Sequence, residues 1–188
     1  RAVAVGDEGF IYTSADGISW TKVSSGTSQW LRSIAFGNGT FVAVGENGKI
    51  LRSVNSGNSW TSVASGTTAH LNRVRYLSTP TGGQFIAVGT GGTAIYSGTG
   101  TNNWSSLNAG TTNTLFDVAA NTSGVLLVGD QEILYRAAGV TSWTSQVSGL
   151  PTNSAPAWTY YTAFAGSDSL LVAGRAGMLV EGTLGNTT

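Results

Sequence analysis

The sequence predicts an all-β fold, a β-propeller of four-stranded antiparallel blades with about 4.5 blades in this chain. Three markers predict it. An apolar run closed by glycine recurs as Val3-Ala4-Val5-Gly6, Val42-Ala43-Val44-Gly45, Ile86-Ala87-Val88-Gly89, Leu126-Leu127-Val128-Gly129 and Leu171-Val172-Ala173-Gly174. A tryptophan recurs at Trp20, Trp60, Trp104 and Trp143, and a loop glycine at Gly26, Gly66, Gly110 and Gly149. All three advance in one phase, by 39 to 45 residues per step.

One period shows what each unit contains. Leu31 to Phe36 is apolar and β-prone, and Gly37-Asn38-Gly39 stops it. Phe41 to Val44 is stopped by Gly45-Glu46-Asn47-Gly48, and Lys49 to Ser53 by Asn55-Ser56-Gly57-Asn58; Trp60 to Ala64 follows. Short runs rich in Val, Ile, aromatic residues and Thr between Gly/Asn/Ser stops read as strands joined by tight turns. These strands are called A, B, C and D. The units span residues 1–30, 31–70, 71–114, 115–156 and 157–188, in one propeller domain or a part of one.

The ends are irregular. The first unit begins at strand B, three complete units follow, and the last provides A (Ala157 to Ala165), B (Ser169 to Ala173) and C (Gly177 to Gly182). That gives 18 strands, where five whole blades need about 20. The preferred reading is an arc of a larger ring; a five-bladed ring with incomplete terminal blades and completion by a neighbouring copy remain open. Unpaired strand edges are ready pairing sites, so the termini are expected to be completed by something.

Composition removes whole function classes. Nine basic and nine acidic residues leave no formal net charge, whereas nucleic acid and anionic membranes select a basic excess. Without cysteine and with a single histidine, the chain has no disulfides, thiol nucleophile or Cys/His zinc site. No apolar run approaches the roughly 18 residues that cross a bilayer. No cofactor is expected. The low charge and abundant Ser and Thr suggest an extracellular or cell-envelope setting.

The turn between strands C and D carries a motif. Ser53, Asn55, Gly57 and Trp60 resemble the Asp-box, S-x-D-x-G-x-x-W, with Asn in the acidic position. Ser14, Asp16, Gly17 and Trp20 form a version one residue shorter. Trp104 follows a weaker copy and Trp143 a weaker one still. The chain therefore resembles Asp-box (BNR-repeat) propellers, which include sialidases, the photosystem II assembly-factor family and bacterial surface proteins. The side chain at the acidic position is expected to cap backbone N–H groups of its own turn, and the tryptophan to pack over the blade edge. These are structural roles.

Retaining sialidases use a tyrosine nucleophile, acidic partners and an arginine triad, and that constellation does not map onto this chain residue by residue. Carboxylates such as Asp7, Glu8, Glu46, Asp130 and Glu132 fall in or beside turns rather than in a recognisable catalytic pair. Propellers gather their D–A loops and B–C turns on one face. Here that face would carry Trp30, Arg32, Glu46, Lys49, His70, Arg73, Asp130, Trp158, Tyr160 and Arg175. Aromatic rings beside amides, guanidiniums and carboxylates suit a protein segment or a sugar. The expected function is a non-catalytic interaction module that binds a protein partner or joins an assembly. The alternatives are a lectin and a sialidase-like glycoside hydrolase remnant.

Overall fold

The structure, a computed structural model, describes residues 1–79, 81–101, 104–146, 159–167, 169–175 and 178–183. Among the described residues it is all-β, with 18 strands in five antiparallel sheets, and within each sheet every strand pairs with its neighbours in sequence. Blade 1 holds β1 (Ala2–Val5), β2 (Ile11–Ser14) and β3 (Thr21–Val23). Blade 2 holds β4 (Leu31–Gly37), β5 (Thr40–Gly45), β6 (Ile50–Ser53) and β7 (Thr61–Val63). Blade 3 holds β8 (Leu71–Thr79), β9 (Gly82–Gly89), β10 (Ala94–Ser97) and β11 (Ser105–Ser106). Blade 4 holds β12 (Leu115–Asn121), β13 (Gly124–Gly129), β14 (Glu132–Ala137) and β15 (Thr144–Ser145), and blade 5 holds β16 (Tyr160–Ala165), β17 (Ser169–Gly174) and β18 (Leu179–Thr183). The strand plan read from the repeat is the plan of the molecule.

The core consists of four apolar layers, one between each pair of successive blades. Alternation along the strands sends neighbouring side chains into different layers. Ala43 and Leu51 face blade 1, whereas Val42, Val44 and Ile50 face blade 3. Both faces of a middle blade are covered, which is why its strands are apolar at successive positions rather than at every other one. Tyr160, placed on the loop face by the sequence reading, lies instead in the layer between blades 4 and 5 at 1% exposure. Burial pushes its phenol pKa up.

The B–C turns lock onto the D–A loops. In blade 2, Asn47 and Gly48 both take a left-handed backbone, φ +51° and +68°. A Cβ on Gly48 would stand 1.9 Å from the Thr67 carbonyl oxygen. Only glycine combines that φ with that approach. The closeness serves a bond, since Gly48 N–H donates to the Ala69 carbonyl at 2.8 Å.

The innermost strand of every complete A–B pair shifts register at one point, between Leu31/Ser33, Leu71/Arg73, Leu115/Asp117 and Tyr160/Thr162. Each shift is a β-bulge with one extra residue, which re-aims the side chains around it. The extra residues are Arg32, Asn72, Phe116 and Tyr161.

Candidate functional site

The bulges build the inner wall of the loop face. The Arg32 guanidinium reaches across to blade 3 and donates to Asn72 Oδ1 at 2.8 Å. It also pairs with Glu46 at 3.4 Å on the B–C turn of its own blade. Asn72 passes the contact on, donating from Nδ2 to the Leu115 carbonyl of blade 4 at 2.9 Å. Phe116 and Tyr161 continue it as a ring pair with centroids 5.8 Å apart. One or two residues further along each strand, a second course of contacts runs in parallel. Val74 N–H donates to Ser33 Oγ, and Ala163 N–H to Asp117 Oδ2.

Asp117 is the hub of that second course. Its carboxylate is fully buried on β12. Arg75 of blade 3 donates from Nε at 2.8 Å and from Nη2 to the other oxygen. Thr162 Oγ1 donates from blade 5 at 2.9 Å, and Val118 N–H from its own strand. Arg73 Nε adds an ion pair at 3.5 Å. A buried carboxylate needs this density of donors, because desolvation would otherwise drive it out of the core. Three blades thus share one anion. Arg73 and Arg75, only partly buried, then line a groove of about 390 Å³ with Ser33, Tyr76 and Leu77.

The predicted face residues divide into groups. Trp30, Arg32 and Glu46 come together: Trp30 is 48% exposed, and its carbonyl accepts Glu46 N–H at 3.0 Å. His70 joins them from the next loop, where Nδ1 accepts Asn47 N–H at 3.2 Å. Lys49 points outward along the blade, its ammonium 3.5 Å from Ser62 Oγ. Asp130 accepts Thr159 Oγ1 at 3.2 Å, and exposed Arg175 donates its N–H to the Thr159 carbonyl, farther round the arc. Trp158 lies outside the described residues. The sequence reading missed Asp117 and Arg75. Aligning the repeats at the bulge would have exposed Asp117, since Ser33, Arg73, Asp117 and Thr162 then fall in one column.

The C–D turns stand on the opposite face. In blade 1 the Asp16 carboxylate accepts Ile18 N–H, Ser19 N–H and the Ser14 hydroxyl through Oδ1. Those donors hold its pKa well below the usual carboxylate range. In blade 2 the Asn55 amide does similar work, accepting Ser59 N–H and donating to Ser59 Oγ. Trp60, Trp104 and Trp143 each pack against the layer shared with the preceding blade. Trp20 does not share that burial; it is 43% exposed.

Among the described residues, no group of three or more His, Cys, Asp or Glu side chains is placed to hold a metal ion. No helix among them is long and apolar enough to cross a membrane.

No family model and no curated protein sequence matches the chain. Solved structures do. YCF48 bound to a D1 peptide superposes with a TM-score of 0.69 at 17% identity, over 97% of this chain and 60% of that one. The WD40 propeller domain of Doa1 gives 0.72 at 13%, over 96% and 60%. An ancestral GH74 enzyme gives 0.65 at 14%, over 96% of this chain and 29% of its own. The chain therefore has a β-propeller fold, and it spans about three fifths of the YCF48 and Doa1 chains.

Proposed function

We propose that the chain is a non-catalytic interaction module whose loop face docks a segment of a protein partner. The observation that carries this reading is the linked cluster at blades 2 and 3. Trp30 stands outside the periodic tryptophan position and half exposed, beside an Arg32 fixed by Glu46 and Asn72. A half-exposed aromatic ring close in sequence to an oriented guanidinium has the residue types of a binding hot spot. The peptide carried by the YCF48 structure supports the same use of a similar fold. The Asp-box-like turns serve as scaffold, on the side away from the partner.

A library of displayed peptides tests it, with selected binders measured by calorimetry. Trp30→Ala and Arg32→Ala are expected to weaken binding by about tenfold or more each. Ile18→Ser, on the opposite face, should leave it unchanged. Binding that ignores Trp30 and Arg32 would overturn the assignment.

A glycan is the second reading, favoured by a groove of about 720 Å³ beside this cluster, lined by Gln29, Asn47, Lys49, Ser65 and Thr67. Its polar lining suits sugar hydroxyls, and Gln29 Oε1 is buried there without a hydrogen-bond donor. Saturable binding on a glycan array, lost in Gln29→Ala, would replace the peptide reading. Turnover of a fluorogenic glycoside would replace both.

A further inference from the structure

The repeat provides its own controls for two side chains on the loop face. Gln29 N–H donates to Thr27 Oγ1 at 3.1 Å, and the next two D–A loops make the same bond from Ala69 and Asn113. The loop is thus built equally well without a glutamine. Lys49 N–H donates to the Glu46 carbonyl, as Phe10 and Thr93 do to Asp7 and Thr90 in their own B–C turns, so the turn does not need a lysine. Between blades 3 and 4 the corresponding side chains satisfy each other. Ile133 pairs with Val128 as Ile50 pairs with Val44, which sets Glu132 in the place of Lys49. Glu132 Oε1 accepts Asn113 Nδ2 at 3.1 Å and Thr111 Oγ1 at 2.9 Å. Between blades 1 and 2 the equivalent pair is open. Gln29 Oε1 is buried without a donor. Lys49, partly buried, forms no ion pair among the described residues. Both line the groove of about 720 Å³ beside the Trp30 cluster.

We propose that this groove receives a carboxylate-bearing residue of the docked segment, its backbone N–H donating to Gln29 Oε1 and its carboxylate pairing with the Lys49 ammonium. The inference rests on the peptide reading of the loop face and adds to it the chemistry of one partner residue. An acceptor without a donor, in one groove with a cation without an anion, calls for a ligand that offers both. A carboxylate-bearing residue does so through its own amide and carboxylate. A neutral sugar offers Gln29 a hydroxyl but Lys49 no charge. The wall of the groove is already fixed. Ser65 Oγ donates to the Thr67 carbonyl and accepts Thr67 N–H, and Gly48 N–H holds the Ala69 carbonyl. Little ordering is left for binding to impose.

Calorimetry with peptides selected on the 188-residue chain tests the proposal. They are expected to carry Asp, Glu or a free C-terminus, and to bind more weakly as salt rises. Amide forms of the side chain and of the terminus, made separately, show which carboxylate is used. Removing that carboxylate and Lys49→Met should each weaken binding by about fivefold or more, and the two together by no more than one alone. Gln29→Leu should weaken binding without lowering the melting temperature, because it removes an acceptor that the fold leaves unpaired. The peptide substitutions use the wild-type chain, so they decide the matter even if a variant fails to fold. Trp30→Ala should weaken acid and amide peptides alike. Binding that needs Trp30 yet ignores Lys49 and the carboxylate overturns this proposal and leaves the docking face standing. Binding that ignores Trp30 overturns both. Saturable binding of a neutral glycan, lost in Gln29→Leu, assigns the groove to a sugar instead.

Discussion

Asp117 and Arg75 lie on neighbouring blades and meet through two hydrogen bonds, with the carboxylate fully buried and the guanidinium one third exposed. The pair is asymmetric. Arg75 can rehydrate if its partner is lost, whereas Asp117 cannot.

That asymmetry sets the first prediction. Arg75→Met strands a buried anion, at a cost of about 3 kcal/mol, near the low end for a broken buried pair because Arg73 remains close. Asp117→Asn keeps an acceptor for Val118 N–H or Ala163 N–H and should cost less, about 1–2 kcal/mol. Urea denaturation of the two variants, analysed with a common slope, gives the order. Equal losses would mean that the anion is not the critical partner.

A second prediction concerns the glycine turns. Gly48→Ala combines a left-handed backbone with a Cβ driven into the Thr67 carbonyl. Gly66→Ala, at φ +76°, meets nothing within 4 Å. The latter should cost about 1–2 kcal/mol, from conformation alone. The former should cost clearly more, read as the difference between the two melting temperatures.

The third prediction is a pH dependence. Asp16 has a lowered pKa in the folded turn, so its contribution is present above the unfolded value and is lost only as pH falls through the lower folded value. The blade 1 turn should therefore keep its geometry through the ordinary carboxylate range near about pH 4. Carbon-detected NMR of the Asp16 carboxyl should show no titration there. A midpoint at the ordinary value would mean that Ile18 and Ser19 do not donate to it in solution.

The tryptophans provide the fourth. Trp143 donates Nε1–H to the Leu107 carbonyl at 3.1 Å and carries the Arg136 guanidinium 4.8 Å from its ring centre. Trp143→Ala should cost about 3 kcal/mol, at the lower edge for a large aromatic. Trp20→Ala should cost the isolated chain under about 1 kcal/mol, in keeping with its exposure. Urea denaturation of the two variants separates them.

The repeat made the sheets legible, because strand, turn and tryptophan recur with their spacing intact. The site was legible where it follows from connectivity: Trp30, Arg32 and Glu46 sit on segments that every propeller brings to one face. Asp117 was hidden because it interrupts an apolar run, Leu115-Phe116-Asp117-Val118, and its partner is 42 residues earlier. Simple alternation cannot anticipate a bulge, which lets consecutive side chains leave the expected sequence of faces. Tyr160 misled for the related reason that an aromatic ring at a loop's end resembles a binding residue until packing is known.

The bulge of the innermost strand has an evolutionary consequence. It occurs at the same place in four successive blades, while the residues it presents differ: Arg32 with Ser33, Asn72 with Arg73, Phe116 with Asp117, Tyr161 with Thr162. A duplicated sequence must first preserve what holds its copies together, and here the apolar layers absorb that constraint. The bulge is where copies have diverged in chemistry without divergence in shape. Drift at the first position of each pair would rewrite the inner wall one blade at a time, whereas the second, as at Asp117, stays tied to the neighbouring blades.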